Sequence, residues 1–120
     1  MRVLIIDDDK WYGESIANML IDCDVVVANH PEDAIRTIDE KIPNIIYLDI
    51  GLGTKNGLTI LNELQSWVDT RIVPIVLLSS DGKRLNHDDW KKYGVVKILD
   101  KSETTAEIIN GSLEYGKFKD

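Results

Sequence analysis

The chain has 120 residues, 43% hydrophobic and 29% charged, which suits one soluble domain spanning residues 1–120 with its own core. Its net charge of −7 argues against direct nucleic-acid binding, because contacts to phosphates need lysine and arginine. The one cysteine permits no internal disulfide, no stretch reaches membrane-spanning length, and the N-terminal apolar run meets three acids at once, so a cytoplasmic protein without leader or anchor is expected.

Arg2–Ile6 is a short apolar run that reads as a buried strand, and Asp7-Asp8-Asp9 follow it directly. Trp11, Ser15, Ile16, Met19 and Leu20 then keep helical spacing. Asp24–Ala28 predicts a second strand, preceded by Cys23 as a small core or edge residue. Pro31 suits the first position of a helix whose apolar face is Ala34, Ile35 and Ile38. Residues 45–48 predict a third strand that ends in Asp49. Leu58, Leu61, Leu64, Trp67 and Val68 form the clearest helical stripe of the chain.

Residues 75–78 predict a fourth strand running into Ser79-Ser80. Residues 80–94 are the least regular stretch. Leu85, Trp90 and Tyr93 are the large apolar residues there, among Asp88-Asp89 and Lys91-Lys92, so a fourth helix would be short and mostly solvated. Residues 95–98 predict a fifth strand, with Lys101 three residues beyond it. Thr104-x-x-Glu107 reads as a capping box for a last helix ending near Gly116. Trp11, Trp67 and Trp90 are expected in or against the core, His30 and His87 at the surface. Strand and helix alternate throughout, which predicts an α/β fold with a doubly wound, five-stranded parallel sheet.

The C-terminal ends of parallel strands share one edge, where such sheets keep their chemistry. Asp7, Asp8, Asp49, Ser79 and Lys101 should therefore converge. Three carboxylates in one cleft repel each other unless a cation compensates them, and Mg²⁺ is a hard ion that prefers oxygen ligands. A carboxylate can also attack phosphorus to form an aspartyl phosphate. Lys101 would then neutralise charge on the transferring group, and Ser79 would donate a hydrogen bond to it.

In these pieces the chain resembles the receiver domain of two-component response regulators (the CheY-like superfamily) over essentially its full length. The resemblance is carried by Val3-Leu4-Ile5-Ile6-Asp7-Asp8-Asp9, by Tyr47-Leu48-Asp49 with Gly57 after it, by Pro74-Ile75-Val76-Leu77-Leu78-Ser79-Ser80, and by Lys101. It implies a flavodoxin-like (βα)5 fold with strand order 2-1-3-4-5. It implies Asp49 as phosphoacceptor, and Mg²⁺ held by Asp8 directly, by Asp7 mainly through water, by Asp49 and by the backbone carbonyl of Gly51. Ser79 would close over the phosphoryl group and Lys101 would pair with it. The implied donor is a histidine kinase or histidine phosphotransfer protein. The implied output is altered binding of a downstream protein, or a phosphorylation-dependent dimer, through the face of the fourth helix, fifth strand and fifth helix.

Several positions depart from the family pattern. Gly53 and Ser102 stand where proline is usual, which predicts looser loops. Ile98 stands where an aromatic switch residue is frequent. Gly51 and Asp81, two residues after the acceptor and the hydroxyl, occupy places that influence phosphate lifetime. No output domain follows, so the chain reads as a free-standing receiver or as part of a longer protein. Asp7-x-Asp9, Ser79 and Lys101 also follow the order of haloacid-dehalogenase-like phosphatases, but that reading leaves Asp49 without a role. Three acids after the first strand disfavour a flavin phosphate. A receiver-like interaction module that is never phosphorylated is the other reading. Asp7–Asp9 acting only as helix caps would leave Asp49, Ser79 and Lys101 unexplained.

Overall fold

Strands without polar breaks suit a sheet covered on both faces. All five apolar runs form strands in the computed structural model, which describes residues 1–50 and 55–117, and only the backbone of Lys55 and Asn56. They are β1 (Arg2–Ile6), β2 (Asp24–Ala28), β3 (Ile45–Asp49), β4 (Ile75–Ser79) and β5 (Val95–Asp100). The sheet is parallel throughout, in the order β2-β1-β3-β4-β5 that the family resemblance implied. The last three strands run one or two residues further than the apolar runs, so Asp49 and Ser79 belong to strand ends.

The period of two divides each strand between two cores. Leu4, Ile6, Ile46, Leu48, Ile75 and Leu77 face one side, with Ala34 and Ile38 of α2 (Pro31–Glu40) and Ile60, Leu61 and Leu64 of α3 (Lys55–Ser66). Val3, Ile5, Ile45, Tyr47, Val76 and Leu78 face the other. There they meet Ile16 of α1 (Lys10–Met19), Ile109 of α4 (Ala106–Ser112) and Leu113 of the 3₁₀ turn that continues it. Tyr47 links this layer by hydrogen bonds: its hydroxyl lies 2.6 Å from Ser112 Oγ, which donates to the Ile109 carbonyl. Among the described residues no helix is long and apolar enough to cross a membrane.

Four local expectations change. Trp11 is 82% exposed: the Asp9 cap sets the entry of α1 so that Gly13 and Ile16 face the sheet instead. The stripe of α3 is cut short because the helix ends at Ser66. Trp67 and Val68 lie beyond it and stay largely exposed, Leu58 is also exposed, and Ile60 takes its place in the core. Thr70 Oγ1 seals the turn by donating to the Leu64 carbonyl at 2.6 Å. The cap of the last helix is Thr105, whose hydroxyl accepts from the Ile108 amide, one residue later than the capping box implied.

The fourth change is the largest. No α-helix forms between β4 and β5; three 3₁₀ turns take its place, at Gly82–Arg84, His87–Asp89 and Lys91–Tyr93. Short polar side chains compete here for the backbone. Asn86 Oδ1 accepts from the Asp88 amide at 3.0 Å, and Gly94, at φ +83°, closes the last turn in a conformation that favours glycine. His87 is drawn in and its Nε2 lies 2.8 Å from the Val95 carbonyl, so it is half-buried, not a free surface residue. Trp90 and Tyr93 pack on the α2–α3 side of the sheet.

The first turn is pressed onto β5. A methyl group on Gly82 would sit 2.8 Å from Asp100 Cα and 3.0 Å from its nitrogen, both backbone atoms. Gly82→Ala is therefore expected to destabilise the fold by about 1–3 kcal/mol, read as a lower urea midpoint. An unchanged midpoint would mean the turn can lift away from β5 without loss.

Candidate functional site

Because β1, β3, β4 and β5 are neighbours and parallel, their final residues share one edge. Asp7 follows β1, Asp49 ends β3, Ser79 ends β4 and Lys101 follows β5. Asp7 is fully enclosed. Its amide donates to the Ala28 carbonyl, its own carbonyl accepts from Asn29 Nδ2 at 2.9 Å, and its Oδ1 accepts from the Asp9 amide at 2.8 Å. Lys101 Nζ joins the two carboxylates, 3.2 Å from Asp7 Oδ2 and 2.9 Å from Asp49 Oδ1. Asp8 stands at the exposed rim, and carboxylate oxygens of Asp7, Asp8 and Asp49 all lie within 4.8 Å of one another.

Burial pushes the Asp7 carboxyl up to about 6, and the charge of Asp49 adds to the rise, against the lowering pull of the Asp9 amide and Lys101. Burial alone would lower the Lys101 ammonium, but its hydrogen bond and charge contact with Asp49, then Asp7, outweigh this and hold it above the usual lysine range. One ammonium thus faces three carboxylates. That is an oxygen-rich, cation-deficient cluster, and its donors fit a hard divalent ion such as Mg²⁺.

The remaining expected residues sit as follows. Ser79 is buried, and its Oγ accepts from the Asp81 amide at 3.1 Å. Gly51 and Gly53 lie outside the described residues. Ile98 is half-buried against the α2–α3 core. The loop after β5 is tied despite Ser102 in place of proline. Asp100 Oδ1 accepts from the amide and the hydroxyl of Ser102, at 2.9 and 2.6 Å, and its carbonyl accepts from Thr104 Oγ1 at 2.8 Å. This Asp-x-Ser turn, legible in the sequence, holds the loop without a proline.

Two further residues enter the site unannounced by the sequence reading. Asn29, just after β2, fixes the Asp7 backbone. Tyr12 lays its ring against Lys101 Nζ, 4.3 Å from the ring centroid. The signal for Tyr12 was its place in the first turn of a helix that starts at the site.

A family model described as the response regulator receiver domain matches residues 3–111. The chain is 37% identical over 84 residues to protein-glutamate methylesterase/protein-glutamine glutaminase 2 of Rhizobium johnstonii, a match covering 67% of this chain and 22% of that protein. It is 29% identical to protein PilG of Pseudomonas aeruginosa, over 91% of this chain and 82% of PilG. The chain thus spans less than a quarter of the first relative and less than half of several others. The receiver domain of NtrX from Brucella abortus superposes with a TM-score of 0.82 at 21% identity, covering 98% of this chain and 99% of that one.

The raised Asp7 carboxyl gives a prediction with a definite sign. Folded Asp7 holds its proton more tightly than the unfolded chain, so stability falls as pH rises from about 4 to 6 and the full loss is present above that window. The shift bounds the loss at roughly 3 kcal/mol. Asp7→Asn keeps the acceptor for the Asp9 amide and removes the charge. Without divalent ions it is expected to stabilise the protein by roughly 1–2 kcal/mol at pH 7.5, a gain that fades below pH 4. Denaturant titrations at both pH values check it, and a variant less stable at pH 7.5 would contradict it.

Proposed function

Because this chain belongs to the response regulator receiver domain family, as the receiver of a two-component system, we propose that Asp49 accepts a phosphoryl group from the phosphohistidine of a histidine kinase or histidine phosphotransfer protein. An Asp49 carboxylate oxygen attacks phosphorus, the N–P bond of the donor breaks, and the leaving imidazole takes up a proton. The observation that carries this reading is the 2.9 Å ion pair between Lys101 and the partly open carboxylate of Asp49, beside Asp7 and Asp8.

Lys101 would leave the spent carboxylate charge and follow the phosphoryl oxygens, while Asp7 keeps its other side. Mg²⁺, held by Asp7, Asp8, Asp49 and the Gly51 carbonyl, would supply positive charge where the transferring oxygens gather it. Ser79, at the end of the adjacent strand, would donate its hydroxyl to a phosphoryl oxygen. Asp81, whose amide is bonded to Ser79 Oγ, would tune the lifetime of the product by placing charge near the path of an attacking water.

The output surface is the face formed by residues 80–94, β5 and α4. The phosphate can change it only by favouring one of two existing arrangements. Ser79 reaches this face through Asp81, bonded to its Oγ, and then Gly82, which lies against Asp100. The phosphatase alternative is weakened by Asp9: its carboxylate accepts from the Tyr12 amide as a helix cap, where that chemistry asks for a free acid.

Incubation with acetyl phosphate and Mg²⁺ should add one phosphoryl group by intact mass, with none added to Asp49→Asn or without the metal. Lys101→Ala should slow the addition by about a hundredfold. No addition to the wild type, with Mg²⁺ binding shown separately, would favour an unphosphorylated interaction module. Turnover of a phosphate ester that needs Asp7 but not Asp49 would favour the phosphatase.

A further inference from the structure

The Lys101 side chain is only 18% exposed, and its ammonium makes two ion pairs with carboxylates among the described residues. The ring of Tyr12 covers it on another side, with Nζ 4.3 Å from the ring centroid. A lysine stem is flexible, and two ion pairs to neighbouring acids leave the head free to slide between them. An aromatic face attracts an ammonium and displaces water from it, which limits that freedom. Tyr12 is itself anchored. Its amide donates to Asp9 Oδ1 at 3.2 Å, and its ring packs into the core that α1 and α4 share.

The hydroxyl adds nothing visible to this role. It is enclosed beside Thr104 without a hydrogen bond of ordinary geometry among the described residues, while Thr104 directs its own proton to the Asp100 carbonyl. The hydroxyl therefore does not account for the residue's place in the site, while the ring touches both the core and the cation.

We propose that Tyr12 is a positioning residue whose ring face holds the Lys101 ammonium on the Asp49 oxygen, where the phosphoryl group would arrive. This rests on the functional reading above and adds a residue to it. The competing account is that Tyr12 only fills space, and it makes a different forecast. A space filler is served as well by leucine, whereas a cation platform needs the electron-rich face of the ring.

The test uses the full chain with Tyr12→Phe, Tyr12→Leu, and phenylalanine at position 12 carrying one to several ring fluorines, which drain the face of charge at nearly constant size. Phosphorylation by acetyl phosphate with Mg²⁺ is followed by mass. Tyr12→Phe should stay within about twofold of wild type and Tyr12→Leu should fall roughly five- to tenfold, with the fluorinated rings stepping down in order of lost face charge. A thermal melt of each variant shows that it is folded, and the fluorinated series holds the packing fixed if leucine does not.

Tyr12→Leu as fast as Tyr12→Phe, or fluorination without effect, would overturn the proposal. A second reading is independent of phosphate: the ε-methylene protons of Lys101 should be shifted upfield by the ring and return to ordinary lysine values in Tyr12→Leu. Unshifted protons in the wild type would overturn the proposal. If Asp49 takes no phosphoryl group at all, the functional reading fails, and the lysine shift alone decides whether the ring holds the ammonium.

Discussion

Two carboxylates brought to the same edge of a sheet repel each other, and in this protein one ammonium holds them there. Lys101 bridges Asp7 and Asp49 across the ends of β1 and β3. The bridge explains why the surroundings are built as they are. The enclosed Asp7 carboxylate takes a further hydrogen bond from the Asp9 amide, while Ala28 and Asn29 fix the Asp7 backbone. Lys101 needs a fixed loop, and the Asp100–Ser102 turn provides it. One lysine leaves the three carboxylates with excess negative charge that a divalent cation would offset, whereas an acyl phosphate on Asp49 would add to it.

Much of this arrangement was legible in the sequence, for a definite reason. Uninterrupted Val, Ile and Leu runs of four or five residues have few alternatives to a buried parallel strand, and the residue that follows each run is fixed at the same edge by the parallel topology. Asp7, Asp49 and Ser79 could be placed together on that ground, whereas Lys101, three residues past the fifth apolar run, needed the family pattern as well.

What the sequence hid depends on rotation and on where helices stop. Trp11 and Tyr12 are adjacent, and only the angle at which the Asp9 cap admits α1 decides which one turns inward. Trp67 continues the apolar stripe of α3 in sequence but follows the end of the helix, so periodicity beyond Ser66 carried no meaning. The missing helix at residues 80–94 was a matter of competition. The Asn86 side chain accepts from the Asp88 backbone amide, and the apolar residues Leu85, Trp90 and Tyr93 are too sparse to reward a continuous helix.

That substitution of turns for a helix bears on how force could pass through the molecule. A helix moves as a rod, so a push at one end arrives at the other. Three separate turns form no such rod, because each is closed by its own backbone hydrogen bond and none is continuous with the next. Stiff contacts run sideways instead: Gly82 against the Asp100 backbone, and His87 against the Val95 carbonyl. The turns are therefore joined to the sheet through β5, and the residues of that strand are the ones that any rearrangement of the turns must disturb first.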